Sequence, residues 1–179
     1  DGRAVQRKFW KMASTLTGLH DNLCQGLPAG RSWLLDEEET YEGASIRPLT
    51  MPVLIEKETW FVVATAVGSI RRLARAGSER RRRQEQDERQ RKRPDESSAC
   101  VRTVLQTLAR KVPSGSLVLH TDQKSSYATI ATSVFGERLR HVTTAGTLVR
   151  DTHNPLFPIN TTLAMSRDKN SEDFAGHIQ

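Results

Sequence analysis

SLVLHTD, residues 116–122, is a short and almost continuous apolar run that ends in an acid. A run of this length is typical of a strand buried on both faces, as in the parallel part of a sheet. Pro113 lies just before it and predicts the end of a preceding helix. The sequence therefore predicts an interior strand with Asp122 at its carboxyl end.

Three segments upstream of this run have strand patterns. Residues 32–38 are apolar in their first half, residues 46–56 place apolar side chains at every second position, and residues 59–67 are β-branched and aromatic. Their short connections predict an antiparallel meander. Because proline cannot donate to a ladder, Pro48 and Pro52 predict that the second strand lies at an edge or is bulged.

Helical spacing accounts for most of the remaining chain. An amphipathic stripe over residues 3–20 predicts an N-terminal helix, and Ser97 or Ser98 is expected to cap another helix. Further elements are predicted as a helix at 125–135, a strand at 138–144 and a helix at 160–175. After the N-terminal helix the order is β-β-β-α-β-α-β-α, which predicts an α/β fold with a mixed sheet.

Two acids are expected at strand ends of this order. Asp36 leaves the first strand and Asp122 leaves the fourth, so the two carboxylates converge if those strands are neighbours. Hard oxygen ligands on rigid strands suit Mg²⁺ or Mn²⁺. A third acid would complete such a site, and the last helix offers Asp168, Glu172 and Asp173. The glutamates at 37–39 are expected in a solvated loop.

The positive charge is concentrated in one segment. The chain carries a net charge of +6, whereas residues 71–93 alone hold eleven Lys and Arg against four Asp and Glu. Such a segment is expected to be a helical arm or a disordered insertion that contacts DNA phosphates and positions DNA without reading its sequence. The residues expected to do so are Arg80, Arg81, Arg82, Arg83, Arg89, Arg91, Lys92 and Arg93.

Length and composition set the expected organisation. At 179 residues, the chain is expected to contain a helix and linker over 1–30, belonging to an upstream domain, and a core over 31–179. The core would contain a basic insertion at 71–96 and a truncated C-terminus. No apolar run approaches about 18 residues, and Cys24 and Cys100 form no CxxC pair. The protein is therefore expected to be cytoplasmic, with two buried thiols and no membrane partner.

Four stretches resemble the bacterial insertion-sequence transposases that use an acidic triad on a ribonuclease-H-like core. They are WLLDEEETYEG at 33–43, RPLTMPVLIEKETWFVVATAVG at 47–68, LVLHTDQKSSY at 117–127 and THNPLFPINTTLAMSRD at 152–168. The resemblance implies metal-dependent DNA strand cleavage and transfer at the ends of a mobile element. It also implies Mg²⁺ or Mn²⁺ held by Asp36, Asp122 and an acid of the last helix, for which Asp168 is the choice.

The same resemblance implies transposon-end and target DNA as partners, a homodimer, and a bacterial protein that associates with the nucleoid when bound to DNA. Where many relatives carry a Glu before the Asn of the closing motif, this chain has Pro158 and Ile159 before Asn160. The alternatives are an inactive, transposase-derived remnant that still binds DNA, and a structure-specific nuclease on the same fold.

Overall fold

A mixed sheet with helices on both sides forms the body of the protein. The computed structural model describes the backbone of residues 2–175 and the side chains of residues 2–167. The strands are β1 (Ser32–Tyr41), β2 (Pro48–Glu56), β3 (Val62–Thr65), β4 (Gly68–Ser69), β5 (Leu117–Asp122) and β6 (Leu139–Thr144). The helices are α1 (Gly2–Leu23), α2 (Glu79–Gln90), α3 (Ser97–Lys111), α4 (Ser125–Phe135) and α5 (Phe157–Ala175).

The sheet has the strand order β3-β2-β1-β5-β6, and β4 also pairs with β2. β1, β2 and β3 form the antiparallel meander that the sequence predicts, while β1, β5 and β6 are parallel. The two parallel connections run through α3 and α4, because parallel neighbours need a crossover. The predicted α/β class, mixed sheet and order of the main elements agree with this structure, to which β4 and α2 are additions.

Each face of the sheet has its own apolar cluster. On one face Trp33, Leu35 and Leu119 pack with residues of α3 and α4, including Leu105 and Ile130. On the other face Leu34, Val53 and Ile55 pack against Leu156, just before α5, and against Ile159 and Leu163 in the first turns of α5. Since side chains alternate along a strand, this division shows which face each residue of β1 and β5 points to.

Of the two alternatives predicted for β2, the edge position is wrong, because β2 pairs with β1 on one side and with β3 and β4 on the other. The other alternative, a bulge, agrees with a register shift in the β2–β3 pairing. Proline is tolerated there because of where its missing donor falls. The carbonyl of Pro52 accepts from Ala66 N, and that of Pro48 accepts from Ile70 N. The nitrogen of each proline therefore faces a residue just beyond the end of β3 or β4, where no ladder hydrogen bond is lost. A register shift between Leu54 and Ile55 also makes the β2–β3 pairing irregular.

Two helices lie outside the two main layers. α1 has no buried residue, and its C-terminal end is attached by His20, whose Nε2 lies 2.7 Å from Val62 O, and by the buried Cys24. α2 lies within the basic segment, so this segment is helical over about half of its length. In the described part of the chain, no helix is long and apolar enough to cross a membrane.

The predicted serine cap of α3 is also wrong. The residue at the N-cap position is Glu96, which makes no side-chain capping bond, and Ser97 is the first helical residue. The Glu96 carboxylate instead accepts from Ser69 N at 2.8 Å and Ser69 Oγ at 2.9 Å. These bonds lower the pKa of Glu96 and connect the start of α3 to β4.

Candidate functional site

The β1–β5 pair places two predicted site residues side by side. Ser32, Trp33 and Leu34 pair with Val118, Leu119 and His120 in a parallel ladder. Continued by two residues, the same register places Asp36 beside Asp122. The paired ladder ends at Leu34, so the two acids lie where β1 and β5 are no longer hydrogen-bonded. Carboxyl ends of neighbouring strands in an α/β sheet are a common place for ligand sites.

Both acids point to the face of the sheet that α5 covers. Asp36 is two residues from Leu34 along β1, and Leu34 belongs to the cluster beneath α5. Asp122 alternates with Leu117 and Leu119, which point to the opposite face. The condition for convergence of the two acids is therefore met, because β1 and β5 are neighbours and both acids point to the same face.

Asp36 lies inside β1 rather than at its end, which corrects the shorter strand predicted for 32–38. Burial is the main reason that the pKa of Asp36 is raised, and the nearby Asp122 raises it further. The backbone N–H of Glu37, 2.7 Å from Asp36 Oδ1, and the positive charge of Arg150 act in the opposite direction. The Glu37 N–H and Arg150 thus stabilise the ionised form of Asp36 less than burial and Asp122 destabilise it.

Asp122 has a more open setting at the entrance to α4. Its Oδ1 accepts from Lys124 N at 2.9 Å, which fixes the turn between β5 and α4. The Lys124 ammonium group turns to the other face, where it donates to the Glu37 carboxylate and to Ser97 Oγ at 3.1 Å. Glu37 also accepts from Ser97 Oγ at 3.0 Å. This polar network joins β1, α3 and α4 directly behind the two acids.

The expected solvated loop at 37–39 is wrong, because all three glutamates belong to β1. Glu38 is the residue that sequence reasoning missed: its side chain is only 2% exposed and points to the same face as Asp36. Its Oε1 lies 3.7 Å from Arg167 Nε on α5, and its Oε2 has no hydrogen-bond partner. The period-two relation of Leu34, Asp36 and Glu38 would have identified it had β1 been predicted to continue beyond residue 38.

The third predicted acid, Asp168, lies within the span of α5, and its side chain is outside the described residues. The side chains of Glu172 and Asp173 also lie outside the described residues. Among the side chains from 2 to 167, no three His, Cys, Asp or Glu residues come together closely enough to hold a metal ion. The described site is therefore a pair of carboxylates with a buried third one further along β1.

Two carboxylates on one face are nevertheless a suitable donor set for a hard divalent cation. Mg²⁺ commonly keeps several waters and takes only one or two protein carboxylates together with substrate phosphate oxygens. A cation between Asp36 and Asp122 would also offset the burial and the repulsion from Asp122 that together raise the pKa of Asp36. The residues present therefore fit Mg²⁺ or Mn²⁺ in a partly hydrated form.

His120 and His141 lie on the two strands β5 and β6, and neither belongs to a metal-binding cluster of the described residues. His120 is buried two positions before Asp122, and its Nδ1 has no hydrogen-bond partner. Burial lowers the pKa of His120, so its ring is neutral at physiological pH. His141 Nε2 lies 2.9 Å from Thr121 Oγ1 and is part of the β5–β6 pair.

The basic segment is docked through ion pairs at the far end of the β1–β2 hairpin. Arg47 Nε donates to both carboxylate oxygens of Asp87 at 3.0 and 3.1 Å, Arg93 pairs with Glu42 at 2.8 Å, and Arg72 pairs with Glu39. Within the segment itself, the buried Gln84 donates to Arg72 O at 3.0 Å. The segment is therefore attached to the sheet and not a free arm.

The eight predicted DNA-contacting residues divide into two groups. Five already have partners, among them Arg81 with Glu85 and Arg83 with Glu79 on α2 itself. The other three are exposed, and their side chains have no ion pair or hydrogen bond with the described residues: Arg89, Arg91 and Lys92. Among these eight residues, the positive charge available to a polyanion thus lies at the end of α2.

Comparison with known proteins leaves the family open. No protein-family model matches the sequence, and no curated protein does. Among solved structures, a chain in the cryo-EM structure of the simian T-cell lymphotropic virus intasome in complex with PP2A regulatory subunit B56 gamma is similar, with 13% identity and a TM-score of 0.44. The alignment covers 86% of this chain and 44% of that chain, so this chain spans less than half of its length. A TM-score at this level does not assign a fold family.

Replacing Asp36 by Asn is expected to stabilise the protein at neutral pH. The raised pKa means that protonated Asp36 is favoured in the folded state, a contribution fully present below pH 3.8 and lost as pH rises through the folded pKa. Urea unfolding at several pH values should therefore give Asp36→Asn a higher free energy of unfolding than the parent at pH 7. This difference should become smaller as the pH is lowered. Glu58→Gln, at an exposed turn, is the control expected to show no gap. A variant less stable than the parent at pH 7 would contradict the assignment.

Replacing Arg167 by Met is expected to destabilise the protein by about 1–3 kcal/mol, because the buried Glu38 carboxylate loses its cation. The loss should largely disappear in a Glu38→Gln background, and Arg110→Met, an exposed arginine without a carboxylate partner, should have little effect. Urea denaturation of the four combinations measures the coupling. Equal losses in the parent and in the Glu38→Gln background would show that the pair is not coupled.

Proposed function

We propose that the chain is a ribonuclease-H-like catalytic core of the bacterial insertion-sequence transposase type, which cleaves and transfers DNA strands with the help of a divalent metal. The observation that carries the proposal is the position of Asp36 and Asp122 on neighbouring parallel strands and on one face. The sheet order, with β1 between an antiparallel meander and two parallel strands, supports the ribonuclease-H-like assignment that the sequence resemblance implies.

Asp36 and Asp122 would hold Mg²⁺ or Mn²⁺ in this proposal, and Asp168 on α5 is the proposed third ligand. The packing of α5 supports the choice of that helix, because Ile159 and Leu163 cover the face to which both acids point. When bound, divalent ions activate the attacking oxygen and stabilise the leaving oxygen of a phosphodiester. The chain's own contribution is to hold two carboxylates in position before DNA arrives.

Preorganisation of those carboxylates comes from the backbone and from the network behind them. The N–H groups of Glu37 and Lys124 each hold one oxygen of the neighbouring acid. On the opposite face, Glu37, Ser97 and Lys124 connect β1 with α3 and α4. Groups held in this way need little reorganisation when a charged substrate binds, which is the main protein contribution in this class of chemistry.

DNA is the proposed substrate, and Arg89, Arg91 and Lys92 are proposed to make its phosphate contacts. Their charges are not committed to acids of the described chain, in contrast to Arg81 and Arg83. Arg150, exposed and close enough to Asp36 to affect its pKa, adds positive charge beside the acids themselves. A homodimer acting on two DNA ends is part of the same proposal.

Metal binding and cleavage test the catalytic proposal. Calorimetry is expected to show that the parent chain binds Mn²⁺. The Mn²⁺ affinity of Asp36→Asn and of Asp122→Asn should be lower than that of the parent by at least about tenfold, since each substitution removes a charged ligand. Glu58→Gln should bind like the parent. Nicking of a labelled insertion-sequence end should fail in the same two variants.

A parent chain that binds DNA but neither binds Mn²⁺ nor nicks would support the inactive, DNA-binding remnant instead. Metal-dependent hydrolysis without strand transfer would support the nuclease alternative. Asp168→Asn tests the third ligand separately, and unchanged metal affinity in that variant would exclude it.

The phosphate contacts are tested by the salt dependence of duplex DNA binding. Changing Arg89, Arg91 and Lys92 together to Ala is expected to reduce the slope of log K against log salt by about 3, because each lost phosphate contact removes about 0.9. The matched control replaces the paired Arg81 and Arg83 by Ala and should change the slope less. Equal changes in both would mean that pairing within the chain does not decide which residues bind DNA.

A further inference from the structure

α1 carries an apolar seam that nothing in the described chain covers. Six large side chains along this helix of 22 residues are exposed by 55–70%: Val5, Phe9, Met12, Leu16, Leu19 and Leu23. Together they expose on the order of 700 Å² per chain, close to what one partner of a standard protein interface contributes. A contiguous apolar surface of this size is unusual on a monomer and marks an interaction site.

The spacing of the seam indicates what it fits. Val5, Met12 and Leu19 form one series seven residues apart, and the other series consists of Phe9, Leu16 and Leu23. Two apolar positions in every seven give a narrow stripe, which is the pattern of a coiled coil and not of a helix packed on a sheet. The flanking positions are polar or small: Gln6, Lys8, Ala13, Thr15, His20 and Asn22. The matching surface is therefore another helix with the same repeat.

Within the described residues, no other helix offers such a surface. α3 and α4 use their apolar residues in the cluster on one face of the sheet, and α5 uses Ile159 and Leu163 on the other. α2 has the sequence ERRRRQEQDERQ and carries no apolar stripe. The helix that matches the seam of α1 is α1 of a second copy.

Charge favours an antiparallel pair over a parallel one. Arg3, Arg7, Lys8 and Lys11 lie in the first half of α1, whereas residues 12–23 contain no Lys or Arg and include Asp21. A parallel pair would bring the two basic halves together, while an antiparallel pair places each beside the half without basic residues. One two-fold register fits the whole seam: Val5 against Leu23, Phe9 against Leu19, and Met12 against Leu16 of the second copy.

We propose that the protein forms a two-fold dimer through an antiparallel coiled coil of its α1 helices. The end of α1 is attached to its own sheet by His20 and to the end of α3 by the Lys111–Asp21 ion pair at 3.0 Å. The coiled coil therefore connects two sheet domains at its opposite ends. The proposal does not depend on the catalytic assignment, because it uses no residue of the Asp36 and Asp122 site.

Sedimentation equilibrium of the whole chain tests the dimer. The parent and Ser14→Glu, which changes an exposed position off the seam, are expected to dimerise with similar affinity. Leu16→Glu introduces a charge into the centre of the seam and should weaken dimerisation by at least about tenfold. Far-UV circular dichroism and urea unfolding show whether the sheet domain of that variant remains folded. A monomeric parent, or equal affinity in the two variants, would overturn the proposal.

Disulfide trapping tests the orientation. Chains carrying Val5→Cys and Leu23→Cys are mixed and oxidised, and the cross-link is expected between the two kinds of chain. The native Cys24 and Cys100 are buried and provide the background measured in the parent. Efficient cross-linking of Val5→Cys with itself would overturn the antiparallel arrangement even if the dimer forms.

Discussion

The short parallel ladder between β1 and β5 is the constraint on which the rest of the molecule depends. Three residue pairs, from Ser32–Val118 to Leu34–His120, join the antiparallel meander to the two parallel strands. The β1–β2 ladder, in contrast, continues along the full length of the hairpin to Tyr41. β1 thus stays with β2 after it has left β5, and the polar residues that follow Leu34 are placed where the sheet opens. A site between two strands needs both the pairing that aligns them and the point at which that pairing ends.

Within the described part of the chain, negative charge at this opening of the sheet is balanced at every acid of β1 except Asp36. Four consecutive residues of β1, from Asp36 to Glu39, are acidic. Three of them form ion pairs with cations from other parts of the chain: Glu37 with Lys124, Glu38 with Arg167 and Glu39 with Arg72. Asp36 has no ion-pair partner of this kind among the described residues, and burial raises its pKa. The residue left without its own counter-charge is the one placed beside Asp122. A site that accepts a cation is expected to show this pattern.

The sequence predicts the local elements well because their signals are local. The apolar run before Asp122 and the residues of 125–135 specify β5 and α4 without reference to other parts of the chain. For β2, Pro48 and Pro52 left an edge position and a bulge open, because only the partner strands decide on which side a missing donor falls. The alternation along β1 gives the face to which Glu38 points, but its burial depends on α5 packing from more than a hundred residues away. In the same way, sequence spacing gives the charges of α2 but not their partners.

The docking of α2 has a consequence for how chains of this design can change. The basic segment enters and leaves at neighbouring points, with Ser69 at one end and Glu96 at the other joined by hydrogen bonds. Its removal or extension would therefore leave the register of the five main strands intact, because the closure next to β4 remains. Evolution can lengthen, shorten or recharge this excursion with little effect on folding, whereas a single insertion in β1 would shift Asp36 to the other face. Related chains are expected to differ most between residues 70 and 95.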